Sequence, residues 1–258
     1  MAKLRPKTRG PDGHTPEDSP FHPLIEEGYR VFKRPVPAGT GVCECCMDPQ
    51  IEADFFNHGQ QGLPFHYLRD WYFAAADIPL AKDIWAFLLP RILDALAAGE
   101  EVSSVGNEVA LNRFPTGNPE NWTSGEWTVL DRFQRLTLDQ HRPGGAYYLD
   151  DILCMFGIAG WRVPDLFQQV HAWPIDRLVT QLWHDWCDAK QPGIWIDAFW
   201  PDDAPSYPFY TAPDLHDRIH SFALADTTDP FLAEKAIEVA HVIETAPKSP
   251  GTSIGPPP

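Results

Sequence analysis

Apolar residues recur at helical spacing along most of this chain, and a proline or glycine closes nearly every run. The clearest case is Ile175–Ala189, where Ile175, Leu178, Val179, Leu182, Trp183 and Trp186 fall at i, i+3, i+4, i+7, i+8 and i+11. Such a stripe buries one face of a helix. Upstream, Asp48 is an N-cap with Pro49 at the first helical position, predicting a helix to about His58, stopped at Gly59. A second helix from near Pro64 turns Tyr67, Leu68, Trp71, Tyr72 and Ala75 inward. A third runs from Pro79 to about Ala98, with Ile84, Phe87, Leu88, Ile92 and Leu96 in step, Pro90 as a kink and Gly99 as its end. Thr123 and Glu126 have capping-box spacing and open a helix to about His141 that buries Trp127, Leu130 and Phe133. Leu149–Phe156 and Pro164–Trp173 read as two short helices. Thr211-x-x-Asp214 opens another, carrying Leu215, Ile219 and Phe222, and Asp229-Pro230 opens the last, to about Ala246. Strand signals are few; Tyr29-Arg30-Val31-Phe32 is the one short extended candidate.

The predicted fold class is therefore all-α: a single domain of eight to nine helices over residues 21–246, with a composition break near 142–146 where it would subdivide. Residues 1–20 are rich in Pro, Gly and charge, and residues 247–258 are Pro-rich; both are expected to be disordered tails. The chain has 258 residues, of which 43% are hydrophobic, so it can bury a real core. No apolar run approaches the roughly 18 residues of a membrane helix. The opening Met1-Ala2-Lys3-Leu4-Arg5-Pro6 lacks the apolar stretch of a secretory signal. A cytoplasmic location is the expectation, and the five cysteines then read as reduced thiols or metal ligands.

Asp and Glu number 36 against 20 Lys and Arg, a formal net charge of −16. A field of that sign repels phosphate backbones, so neither nucleic acid nor a membrane is expected as partner. The excess serves solubility in one reading. In the other it is a complementary face for a basic protein partner, with a steered on-rate.

Three of the five cysteines lie within Cys43-Glu44-Cys45-Cys46, near His58 and His66. Two thiolates separated by two residues can share one zinc ion, which wants four ligands. The candidate set is Cys43, Cys46, His66 and Cys45, with His58 the more distant histidine. The alternatives are thiols that merely pack at a helix start, and a redox or catalytic thiol whose pKa the helix N-terminus lowers. Cys43-x-x-Cys46, the acidic helix after it, the aromatic-rich second helix and Phe87-Leu88-x-Pro90-Arg91-Ile92-Leu93 resemble an uncharacterised family of bacterial proteins. The resemblance implies a bacterial cytoplasmic helical protein and assigns no catalytic residue. Cys45 is an addition to that pattern.

Other constellations read as structural. His216 and His220 stand one helical turn apart and could chelate a metal, but fit a solvated face. His184 and Cys187 flank a tryptophan stripe and read as packing. Asp150-Asp151 and Asp202-Asp203 read as caps and solvated turns, because adjacent carboxylates on one segment project apart. Arg91 reads as glue at the Pro90 kink. The functional expectation is a non-catalytic, immunity- or adaptor-like protein that binds a basic partner. The alternative is a zinc-containing or thiol-dependent enzyme with its site near Cys43–His66.

Overall fold

The protein is all-helical in a computed structural model that describes residues 11–43, 46–75, 80–188, 190–201 and 204–247; no strand occurs among them. Twelve α-helical segments are present among these residues. They are α1 (His22–Val31), α2 (Pro49–Asp54), α3 (Gly59–Gly62), α4 (Phe65–Ala74), α5 (Lys82–Ala97), α6 (Ser124–Gln140), α7 (Leu149–Ile158), α8 (Val163–His171), α9 (Ile175–Trp186), α10 (Ser206–Tyr210), α11 (Pro213–Ala223) and α12 (Pro230–Thr245). The excess over eight or nine comes from short pieces such as α3 and α10, whose few residues carry no periodic signal. None of the described helices is long and apolar enough to cross a membrane.

The start signals act as expected. The Asp48 carboxylate accepts from the backbone N–H of Gln50 at 2.8 Å and of Ile51 at 3.3 Å. Asp229 does the same for Phe231 at 3.0 Å and Leu232 at 3.3 Å. At α6 the Glu126 carboxylate accepts from the Thr123 N–H at 2.8 Å, while the Glu126 N–H donates back to the Thr123 hydroxyl at 3.3 Å. Gly99 takes φ +76°, and the Glu100 N–H reaches Ala95 O at 2.9 Å, closing α5 with a left-handed turn that only glycine adopts cheaply. One signal misleads: Thr211 caps nothing with its side chain, its hydroxyl donating instead to Tyr207 O at 2.9 Å. α11 turns Leu215, Ile219 and Ala223 inward, and Phe222 stays half-buried.

Cα packing divides the chain into two compact units. Among the described residues the N-terminal unit holds 11–139 and 158–161, and the C-terminal unit holds 140–157 and 162–247. The main division falls at Gln140, beside the break that the composition marks near 142–146. In the N-terminal unit α1 and α3 pack on α5, which buries eleven consecutive residues from Trp85 to Ala95. In the C-terminal unit α12 packs on both α9 and α11.

Two expectations for the N-terminal unit need correction. Tyr29-Arg30-Val31 is helical, not extended, because α1 turns Leu24, Ile25 and Gly28 onto the core at helical spacing. Residues 11–20, expected to be tail, are structured. Arg91 is fully buried and donates to Leu63 O (2.9 Å), Gly13 O (2.9 Å) and Asp12 O (2.6 Å). One turn on, Asp94 accepts from Thr15 N (2.7 Å) and Tyr29 OH (2.9 Å) and pairs with His14 Nδ1 at 2.6 Å. A buried charge must be hydrogen-bonded, and α5 meets this by drawing the leading segment onto itself. Residues 1–10 and 248–258 of the expected tails lie outside the described residues.

Candidate functional site

The C-terminal unit gathers acids in its interior. Asp150 and Asp151 stand in the first turn of α7, Asp185 on α9 and Asp197 on the loop before α10, and all four are buried. The Asp150 Oδ2 accepts from Asp197 N at 2.7 Å and from the Trp200 indole N–H at 2.9 Å. The Ser206 and Tyr210 hydroxyls lie beside this carboxyl, although neither Asp150 Oδ1 nor Ser206 Oγ has a partner at hydrogen-bond geometry. Asp185 accepts from Leu149 N at 3.0 Å and from the Gln181 amide at 3.0 Å, so α9 supplies a cap to α7. Asp151 caps the same helix end from within, accepting from Tyr148 N, and also takes the Trp195 indole N–H, both at 2.8 Å.

Burial dominates the electrostatics. It pushes the Asp150 carboxyl up to about 7, against the pull of its hydrogen bonds. It also raises Asp185 and Asp197, and it depresses His141 to about 4, with Arg177 adding to that effect. A carboxyl in this state holds a proton close to neutrality. With 2% of its surface exposed, Asp150 is placed to tie α7, α10 and the 195–200 loop together, out of reach of a substrate. The sequence reading of Asp150-Asp151 as caps and solvated turns is right for the cap at Asp151 and wrong for the solvation. The usable signal was context: Leu149-Asp150-Asp151-Ile152-Leu153 embeds two acids in an apolar helix. Asp202 and Asp203 lie outside the described residues.

The described cysteines of the 43–46 cluster are placed as follows. Cys46 N–H donates to Cys43 O at 3.0 Å just ahead of the Asp48 cap. Cys43 is disulfide-bonded, whereas Cys46 is exposed and not in a disulfide, so the two sulfurs do not form a thiolate pair. Cys45 lies outside the described residues. Among the described residues, no group of three ligand atoms close enough to share an ion includes Cys43, Cys46, His58 or His66. His66 instead packs its ring edge-on against Tyr67 at 4.6 Å, and His58 packs on the same tyrosine at 5.4 Å while pairing with Asp54 at 2.7 Å.

Comparison with family models, with curated protein sequences and with solved structures finds no match to this chain. The function must then be read from the surface as well as the interior. In the C-terminal unit the turn between α11 and α12 exposes Leu224 at 67% and Phe231 at 64%. Asp226, Asp229 and Glu234, all exposed, stand between and beside them in the chain. The Lys235 ammonium lies 4.6 Å from the Phe231 ring and 4.2 Å from the half-buried Trp183 ring. The Trp183 indole N–H donates to Glu238 at 2.5 Å. Aromatic surface and carboxylates are thus interleaved along the start of α12.

Proposed function

We propose that this chain is a cytoplasmic, non-catalytic protein-binding module, adaptor- or immunity-like, whose partner presents a basic segment with apolar side chains. The α11–α12 turn carries the reading: two large apolar side chains, Leu224 and Phe231, stand in water amid Asp226, Asp229 and Glu234. Scattered exposed apolar residues are normal, but two close together in the chain with carboxylates between them fit a contact surface. The net charge of −16 favours a cationic occupant and speeds its encounter. Cys46, Cys154 and Cys187 are not disulfide-bonded, which supports a reducing compartment, whereas the Cys43 disulfide argues against one.

The test is a titration with an amphipathic Leu/Lys helical peptide and a Leu/Glu counterpart, followed by tryptophan fluorescence at low and high salt. The Lys peptide should bind, weaken as salt rises, and lose about tenfold in affinity in a Leu224→Ser, Phe231→Ser double variant, about 1.4 kcal/mol. Equal binding of both peptides, or no response to the double variant, would refute the reading.

A further inference from the structure

We propose that His216 and His220 form a bidentate site for a divalent first-row transition-metal ion. Both lie on α11, four residues apart, so they share one face of the helix. Their rings stack at 5.6 Å between centroids with 11° between planes. His216 Nδ1 is 3.2 Å from Asp217 Oδ1. A proton on Nδ1 bonded to that carboxylate leaves Nε2 as the lone-pair atom facing outward, the arrangement that orients metal-bound imidazoles. Arg218, the cation between the two histidines in sequence, is turned away: its guanidinium donates to His171 O and, at 2.7 Å, to Trp173 O. Asp214 and Asp217, both exposed, make the surroundings attractive to a cation. Metal–nitrogen bonds of about 2.0–2.1 Å need the two ring nitrogens roughly 3 Å apart. With the ring centroids 5.6 Å apart, rotation of the half-buried His216 and exposed His220 side chains would bring two ring nitrogens toward that spacing. Two imidazoles leave the remaining positions to water, so the ion would be exchangeable. The affinity order should place Cu²⁺ above Ni²⁺ and Zn²⁺.

Nickel chloride titration of the full chain by calorimetry, paired with thermal unfolding in nickel, tests the site. One equivalent should bind at neutral pH and raise the melting temperature. His216→Ala and His220→Ala should each abolish both effects while keeping the helical circular dichroism, and Asp217→Asn should weaken binding by roughly tenfold. His241→Ala, on α12, should change nothing. Nickel binding that survives in the His216→Ala, His220→Ala double variant, or no nickel-dependent thermal shift in the unaltered chain, would overturn the assignment.

Discussion

Replacing Arg91 by methionine tests whether this side chain holds the leading segment onto α5. The substitution keeps the length of the apolar stem and removes the guanidinium. Three backbone oxygens, on Asp12, Gly13 and Leu63, lose their donor, and Asp94, 3.8 Å away, loses the guanidinium beside it. Hydrogen bonds to a charged group contribute about 1.5–3 kcal/mol each, so simple addition would give far too much. Removing one partner of a buried charged pair costs about 3–5 kcal/mol. Asp94 keeps its bonds to His14, Thr15 and Tyr29, and the 11–13 segment can peel off and give its carbonyls to water. The expected loss is therefore toward the lower end, about 3 kcal/mol. Urea unfolding followed by tryptophan fluorescence measures it, and limited proteolysis reports whether residues 11–20 are released. Arg91→Lys should recover less than half, because one ammonium cannot span three carbonyls from two segments. A loss under about 1 kcal/mol, with no new cleavage among residues 11–20, would show that packing alone retains the segment.

Two further predictions follow from burial. The Asp150 carboxyl titrates at about 7 in the fold against an ordinary 3.8, so between those values the folded state holds more protons than the unfolded. Stability should fall as pH rises through that window and level off above it; urea midpoints at about pH 5 and pH 8 should show a smaller difference in Asp150→Asn, and an unchanged difference would refute the assignment. Gly117→Ala should unfold or severely destabilise the N-terminal unit, since a Cβ there meets the backbone of Gly160 and Trp161, which cannot swing aside; a melting temperature close to that of the unaltered chain would contradict this.

The helical class and most helix starts were legible in the sequence, because the signals are local. Asp48, Asp229 and the Thr123–Glu126 pair act within one turn of themselves, and the stripe on α9 needs only its own periodicity. The buried charges were not legible. Arg91 meets its carbonyl partners 28 and 78 or more residues away, and Asp150 meets Asp197 and Trp200 at separations of 47 and 50. Nothing beside Arg91 in the chain says that a Pro- and Gly-rich leader will supply its acceptors. Nothing beside Cys43 distinguishes a disulfide sulfur from a metal ligand. By itself the sequence determined the periodicity, the caps and the sign of the charge, all short-range or summed properties. Tertiary structure alone decided which acids lose their water, which part of the expected tail is ordered, and which apolar side chains remain exposed, because burial depends on what folds back from elsewhere in the chain.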